Sequence, residues 1–203
     1  MYEEERSIIV DACRWLSRHG YFGTRRGTGG NVSIRVDEGV MAITPSSIPY
    51  QDLAKEDICI VSLDGKPVEV REGRKPSIEK ALHARVYQIR SETRALIHTH
   101  QTYASVLSIL NLSIPPLFDE VVMELGEVVE VIPYALSGSE ALAWKAQSKL
   151  SNGAYAYLLQ NHGALILGET MEKALIKAEL LEKVAQVYLL ALSTGRPIHT
   201  IPS

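Results

Sequence analysis

The stretch Ala95-Leu96-Ile97-His98-Thr99-His100 decides how the rest of the chain is interpreted. It is an apolar run that ends in two histidines, and it predicts a β-strand. Residues i and i+2 of a strand project to the same face, so the rings of His98 and His100 would lie side by side. Imidazole is the commonest neutral nitrogen ligand for zinc and related transition metals. A metal-binding pair is one interpretation, and two partly buried histidines hydrogen-bonded to the backbone are the other.

Composition excludes several classes of protein. The chain has 203 residues, 46% of them hydrophobic and 22% charged, with a formal net charge of −3. It has no basic stripe of the kind that nucleic-acid partners need, and no apolar run of roughly 18 residues that would span a membrane. Residues 1–6 are acidic and lack the layout of a signal peptide. We therefore expect one domain over residues 1–203, a cytoplasmic location, and neither a nucleic-acid nor a membrane partner.

The two cysteines are too few and too far apart for a disulfide scaffold or a thiolate zinc site. Cys13 falls on the face of a predicted helix, and Cys59 falls inside an apolar strand. We expect both to be small core residues.

Hydrophobic periodicity predicts alternating helices and strands. Helices are expected over residues 4–19, 77–90, 102–110, 119–125 and 171–193, with another after Ser139. Strands are expected over residues 32–36, 40–43, 58–63, 68–70, 95–100, 128–133, 155–159 and 164–167. Several successive strands are joined by hairpin signals such as Asp64-Gly65. An α/β fold with a mixed or mainly antiparallel sheet follows.

Two polar segments are candidates for binding an anion, and a third polar residue is expected to have a structural role. Gly27-Thr28-Gly29-Gly30-Asn31 is glycine-rich, so its backbone can approach a ligand closely, although a simple turn has the same composition. The hydroxyls of Ser46 and Ser47 follow Pro45 and suit either a phosphate or the closure of a turn. Ser77 is a predicted helix N-cap.

Four residues form a candidate metal set, namely Glu79, His98, His100 and His162. Each is predicted at the end of a strand or the start of a helix, where functional groups are often presented. Three imidazoles and a carboxylate suit Zn²⁺, and also Mn²⁺, Co²⁺ or Fe²⁺. Glu79 is otherwise an ordinary acidic residue in the first turn of a helix.

The order of these motifs resembles the class II aldolase/adducin family over most of the chain. The motifs are Thr28-Gly29-Gly30-Asn31-Val32-Ser33, Thr44-Pro45-Ser46, Pro76-Ser77-Ile78-Glu79, His98-Thr99-His100 and Gln160-Asn161-His162-Gly163. Among the family's enzymes, those acting on L-fuculose 1-phosphate look nearest. The resemblance implies a three-layer α/β/α sandwich around a mixed, mainly antiparallel sheet. It also implies a homotetramer with each active site between two subunits.

The resemblance also implies roles for individual residues. His98, His100 and His162 match the metal ligands, and Glu79 matches an acid that contacts the metal at rest and then acts as the general base. The substrate phosphate is implied to bind the loops that contain Gly30, Asn31, Ser46, Ser47 and Ser77. The implied reaction joins dihydroxyacetone phosphate to a small aldehyde, or reverses that step, through a metal-stabilised enediolate.

The sequence departs from the family pattern in three places. Ile78 stands where the aldolases usually have a second serine of the phosphate loop. Asp119 stands near the position of a tyrosine acid from a neighbouring subunit, so either Asp119 or Glu120 is a candidate acid or base. The chain ends at Ser203, so we expect the C-terminal tail with a second tyrosine to be short or missing. An epimerase or dehydratase on the same metal site, and a non-catalytic adducin-like scaffold, remain alternatives.

Overall fold

The computed structural model describes residues 1–24 and 27–202, in which eight strands form one sheet. The strands are β1 (Asn31–Asp37), β2 (Val40–Ile43), β3 (Cys59–Ser62), β4 (Pro67–Glu69), β5 (Ala95–Thr99), β6 (Val131–Ile132), β7 (Ala156–Leu159) and β8 (Gly163–Gly168). Their order across the sheet is β4-β3-β2-β1-β5-β8-β7-β6. Only β6 and β7 pair in parallel; the other neighbouring strands described are antiparallel.

Six α-helices accompany the sheet in the described residues. They are α1 (Glu3–Arg18), α2 (Lys80–Ile89), α3 (Thr102–Leu110), α4 (Asp119–Leu125), α5 (Glu140–Gln147) and α6 (Met171–Ser193). Short 3-10 helices span Lys55–Asp57 and Leu150–Asn152. Side-chain caps begin two of the α-helices: Ser139 Oγ accepts the Leu142 N–H of α5, and Thr170 Oγ1 accepts the Lys173 N–H of α6.

The alternation of side chains along the strands divides the core into two layers. On β5, Ile97 belongs to a cluster that includes residues of α1, α3, α4 and α6. Its neighbour Leu96 belongs to the opposite cluster, which includes residues of α2 and α5. Because successive strand residues point to opposite faces, each face of the sheet is covered by its own helices. The predicted three-layer α/β/α sandwich with a mainly antiparallel sheet is confirmed.

Strand register brings distant parts of the chain to one end of β5. Asn31 of β1 pairs with His98, and Ala164 of β8 pairs with Thr99 on the other side. His162 immediately precedes β8, so it lies beside the end of β5. The central strands therefore gather Asn31, His98 and His162, although 131 positions separate the first from the last.

The structure corrects one helix boundary. The predicted helix over 77–90 begins at Lys80 and its N-cap is Glu79, not Ser77. Ser77 is instead tied to a neighbouring segment, since its N–H donates to the Thr44 carbonyl at 3.0 Å. Its hydroxyl accepts the Glu79 N–H at 3.2 Å, so it stabilises the turn that precedes α2.

Other expectations are met closely. Helices α3, α4 and α6 have the predicted bounds. Cys13 and Cys59 are both buried and unpaired, as predicted. No helix in the described part of the chain has the length and apolar character needed to cross a membrane.

Candidate metal centre and substrate cleft

Three histidine rings meet at the end of β5. The ring centroids of His98 and His162 are 4.5 Å apart, those of His98 and His100 are 4.8 Å apart, and those of His100 and His162 are 5.3 Å apart. One nitrogen from each ring lies within 4.8 Å of the others. The strand geometry predicted from the sequence has thus brought the two imidazoles of the H-x-H pair to a third one from another segment.

Hydrogen bonding directs the lone pair of His98 into this cluster. The Nδ1–H of His98 donates to the Ala164 carbonyl at 2.8 Å, because a carbonyl oxygen can only accept. In the neutral ring this leaves Nε2 as a lone pair, a common arrangement in metal-binding histidines. His98 Nε2 lies 3.0 Å from His100 Nε2. Nitrogens of a tetrahedral zinc site lie roughly 3.3 Å apart, so the donor set fits a divalent ion held between the rings.

Burial keeps two of the rings uncharged near neutral pH. Burial, together with the charge of His98 and His162, lowers the pKa of His100 to about 3. Burial and the charge of His98 lower the pKa of His162 to about 4. Neutral imidazole is the form that binds a metal, so these rings need little proton release to coordinate an ion.

The Glu79 carboxylate lies beside the histidines at the start of α2 and is buried. Its Oε2 is 3.2 Å from His98 Nε2, and its Oε1 is 3.5 Å from His162 Nε2. Asn31 Nδ2 donates to Oε2 and Ser137 Oγ donates to Oε1, each at 2.8 Å. Burial raises the pKa of Glu79, but the electrostatic interactions with His98 and His162 and these two hydrogen bonds outweigh it, and the pKa falls to about 2.

The glycine-rich segment packs directly against the histidines. Gly30 has a φ of +73°, and a Cβ there would collide with the His98 carbonyl and the Phe22 ring. A Cβ on Gly29 would lie 2.7 Å from His100 Nδ1. Gly30 therefore requires glycine for its left-handed conformation and for close approach, and Gly29 requires it for close approach alone.

Two further loops are joined beside this segment. Pro45 and Pro76 form an isolated antiparallel bridge. The Ser46 N–H donates to the Lys75 carbonyl at 2.8 Å, and the Ser46 hydroxyl donates to the Pro76 carbonyl at 3.0 Å. The loops that contain Ser46, Ser47 and Ser77 consequently form one continuous wall.

A cleft of about 190 Å³ collects these groups in a single chain. It is lined by Thr28, Gly29, Gly30, Asn31, Pro45, Ser46, Ser47, Ser77, Ile78, Glu79, His98, His100, Ser137 and His162. The candidate metal ligands and the five candidate phosphate-binding residues are all in this set. The lining in the described residues is rich in neutral hydrogen-bond donors around one buried carboxylate.

The two candidate acids on α4 are not part of this cleft. Asp119 and Glu120 are exposed in the first turn of α4, and Glu120 Oε2 lies 3.5 Å from Lys183 Nζ. A role for either residue would require the cleft of a neighbouring chain, so it stays a prediction.

Ser137 is the lining residue that sequence reasoning missed. The segment Ser137-Gly138-Ser139 carries the ordinary signal of a turn before a helix, and nothing in it indicates a contact with Glu79. By contrast, the other histidine near Glu79 is structural. His83 is fully buried, its Nδ1 lies 2.6 Å from Ser33 Oγ, and burial lowers its pKa to about 3.

Comparison with known proteins agrees with this architecture. Residues 7–189 match the family described as "Class II Aldolase and Adducin N-terminal domain". The chain is 36% identical over 193 residues to the L-fuculose phosphate aldolase of Escherichia coli (strain K12), covering 95% of this chain and 86% of that enzyme. It is also 36% identical over 194 residues to a 5-methylthioribulose-1-phosphate/5-deoxyribulose-1-phosphate aldolase of Escherichia coli O45:K1 (strain S88 / ExPEC), covering 96% of this chain and 86% of that enzyme.

A solved structure has the same fold over nearly the full length. An L-fuculose 1-phosphate aldolase superimposes with a TM-score of 0.90 at 32% sequence identity, covering 98% of this chain and 91% of that chain. The resemblance inferred from the motif order is therefore confirmed by both sequence and fold.

Proposed function

The chain belongs to the class II aldolase and adducin family, and from that premise we propose that it is a divalent-metal-dependent aldolase of a sugar phosphate. The proposed reaction makes or cleaves the carbon–carbon bond between dihydroxyacetone phosphate and a small aldehyde, as in L-fuculose 1-phosphate. The aldehyde-lyase class follows from the family and its aldolase relatives. The observation that carries the proposal is the convergence of three imidazoles and one carboxylate in a cleft lined by hydroxyls.

His98, His100 and His162 would hold the ion, and Glu79 lies close enough to be a fourth ligand. Zn²⁺ suits this donor set, and Mn²⁺, Co²⁺ or Fe²⁺ are accepted by the same ligands. When bound, such a cation supplies Lewis acidity that makes a proton next to a ketone easier to remove.

Glu79 is the proposed general base. Its carboxylate is ionised near neutral pH and is held beside the histidines by two hydrogen bonds. One oxygen of the Glu79 carboxylate would take the proton from the substrate carbon next to the carbonyl. In the reverse direction the same oxygen would return that proton. The position of Glu79 beside the candidate metal ligands supports this role, because a base must lie within hydrogen-bond reach of the carbon that loses the proton.

The phosphate is proposed to bind the wall formed by Gly30, Asn31, Ser46, Ser47 and Ser77. Hydroxyls and free backbone N–H groups can bind a phosphate without a fixed positive charge. Ile78 removes one hydroxyl from this wall but keeps its backbone. Because the phosphate is remote from the bond that breaks, its binding energy would orient the substrate.

A second candidate is an epimerase or dehydratase on the same site. The position of the carboxylates favours keeping it: no second acidic side chain lines the cleft in the described residues, and Asp119 and Glu120 are on α4. An aspartate from a neighbouring chain would suit the family's epimerases, and Asp119 on α4 is the candidate for it. The retained ligand set argues against an adducin-like scaffold.

We propose a homotetramer in which a neighbouring subunit completes each cleft. Large apolar side chains are exposed on and beside α3 and α4, namely Ile109, Leu110, Phe118 and Met123. Such side chains are typical of protein–protein contacts when they lie close together. Helix α4 also carries Asp119 and Glu120, so docking of α4 onto another chain would place these acids at that chain's cleft.

The proposed location of the protein is the cytoplasm. The two buried, unpaired cysteines support a reducing compartment of this kind.

The test is a panel of ketose 1-phosphates assayed for aldehyde release with and without a chelator. The panel includes L-fuculose, L-rhamnulose, 5-deoxyribulose and 5-methylthioribulose 1-phosphates, with L-ribulose 5-phosphate as the epimerase substrate. We expect aldehyde release from at least one ketose 1-phosphate, loss of that release with chelator, and recovery on adding Zn²⁺. Epimerisation without aldehyde release would favour the second candidate, and chelator-resistant cleavage would contradict the metal-dependent account.

A further inference from the structure

Ser137 lies outside every motif that identified the site, yet it contacts the candidate base. Ser137 belongs to the loop between β6 and α5 and is exposed at the mouth of the cleft. Its hydroxyl donates to Glu79 Oε1 at 2.8 Å across 58 positions of the sequence. This is a contact between an exposed loop and the one buried carboxylate of the cleft.

The two oxygens of Glu79 are held from opposite sides. Asn31 is buried on β1 and donates to Oε2, whereas Ser137 donates to Oε1. Oε2 consequently faces His98 and Oε1 faces His162. Two donors on two oxygens fix the rotation of the carboxylate about its last single bond, which one donor cannot do.

The loop that carries Ser137 is itself fixed to the site. The Tyr134 N–H donates to Gln160 Oε1 at 2.9 Å, two residues before His162. The Ser139 N–H donates to the Leu136 carbonyl at 3.0 Å. Gly138 has a φ of +73°, and a Cβ there would lie 3.1 Å from the Ile78 Cβ. These contacts hold the Ser137 hydroxyl above the start of α2.

We propose that Ser137 is a positioning residue for Glu79, an inference that rests on the proposed role of Glu79 as base. A base that takes a proton from carbon needs one lone pair aimed at that carbon, and small misalignments reduce the rate steeply. The hydroxyl of Ser137 sets this aim together with Asn31. Threonine in place of Ser137 keeps the hydroxyl, whereas alanine removes it.

The first test reads the contact in the metal-free protein and does not depend on activity. The ¹³C carboxyl resonance of Glu79 is identified by its loss in Glu79→Gln and is then followed in Ser137→Ala, Ser137→Thr and Ser139→Ala. Ser139 is the matched control, because its hydroxyl caps α5 and does not hydrogen-bond to Glu79. We expect the resonance to move in Ser137→Ala and to stay in Ser137→Thr and Ser139→Ala. An unmoved resonance in Ser137→Ala overturns the proposal.

The second test measures aldehyde release by the zinc-loaded variants. We expect Ser137→Ala to lower kcat about tenfold with KM within twofold, unchanged zinc content and an unchanged unfolding temperature. Ser137→Thr should restore most of kcat. A normal kcat in Ser137→Ala, or a loss that follows zinc content, overturns the positioning role. If the parent protein cleaves none of the panel but the resonance moves as expected, the proposed function fails while the positioning of Glu79 stands.

Discussion

At the scale of single residues, Glu79 lies against His98 and His162 and is also the proposed general base. The buried Asn31 Oδ1 has no hydrogen-bond partner in the described residues, so the amide of Asn31 can turn to accept from a glutamine at position 79. A Glu79→Gln variant should therefore fold normally. This makes the substitution a clean probe of proton transfer.

We predict that Glu79→Gln keeps most of its zinc and loses about 10³-fold in turnover, because an amide cannot take a proton from carbon. Zinc content by elemental analysis and kcat from aldehyde release check this. Glu140→Gln, an exposed acid in the first turn of α5, is the control. Turnover within a fewfold of the parent would remove Glu79 from the mechanism.

The candidate metal ligands could be predicted from the sequence, whereas the contact of Ser137 with Glu79 could not. The spacing of the H-x-H pair places both rings on one face of a strand, and His162 joined the candidate set because it follows a predicted strand. Ser137 reaches Glu79 only through the packing of a loop against α2, which no local pattern encodes. Its serine-glycine-serine context is fully explained by the cap of α5.

At the scale of elements, the glycine-rich segment before β1 shapes the cleft, because Gly29 and Gly30 have no side chains to occupy the space beside the histidines. Gly30 and Gly39 share a left-handed φ, +73° and +78°, but a Cβ on Gly39 meets nothing within 4 Å. Alanine substitutions at these two positions therefore separate the free-energy cost of a left-handed backbone, which both share, from the cost of crowding, which only Gly30 has.

We predict that Gly39→Ala costs about 1 kcal/mol of unfolding free energy. Gly30→Ala should cost about 3 kcal/mol, since the methyl group also displaces Phe22 and the His98 carbonyl. It should also lower zinc affinity. Urea unfolding and zinc titration of both variants check this; equal costs in the two variants would contradict the close packing at Gly30.

A buried carboxylate ties the segment before β3 to the segment after β4. Asp57 is 3% exposed, and its Oδ1 accepts from Arg71 at 3.1 Å and from Arg74 at 2.7 Å. Burial raises the pKa of Asp57, but the hydrogen bonds from Arg74 and the Ala54 N–H and the charges of both arginines outweigh it and keep the pKa below its ordinary value.

We predict that Asp57→Asn destabilises the fold by about 2 kcal/mol at pH 7. A folded pKa below the unfolded value of about 3.9 means that the ion pairs stabilise above that pH and that this contribution is lost as the pH falls through the folded pKa. The difference between parent and variant should thus shrink below about pH 4. Urea midpoints from pH 3 to 7 measure it, with the exposed Asp52→Asn as control. A difference independent of pH would contradict the account.

Element boundaries set by tertiary contacts were the least predictable. Ser77 has the side chain of a typical N-cap, but its backbone N–H is hydrogen-bonded to the Thr44 carbonyl. Helix α2 therefore starts three residues later, at Lys80. The expected strand over 128–133 is reduced to Val131–Ile132, because Val129 bridges to Ile114 instead of pairing with β7.

At the scale of the whole molecule, the sheet order creates the site. Hairpin signals predicted the neighbours β1–β2 and β3–β4. They contain no information on the insertion of β5 between β1 and β8, or on the parallel pairing of β6 with β7. These long-range pairings depend on complementary burial of whole strands. Only the family resemblance anticipated the layered architecture.

We predict that the protein is a tetramer in solution and that Met123→Asp dissociates it, because Met123 is 80% exposed on α4 and a buried charge in a contact is costly. Sedimentation equilibrium measures the mass. Val68→Asp, on edge strand β4, should leave the assembly intact. A monomeric parent protein would contradict the proposed assembly and, with it, the catalytic role proposed for Asp119 or Glu120.

We propose above all that His98, His100 and His162 together bind one divalent ion. The most direct measurement is a crystal structure of the zinc-loaded protein with anomalous data at the zinc edge, collected for the parent and for His162→Ala. We expect one peak per chain, about 2.0–2.1 Å from Nε2 of each of the three rings, and no peak in the variant. A peak elsewhere with none between these rings, or a zinc-free parent that retains full activity, would contradict it.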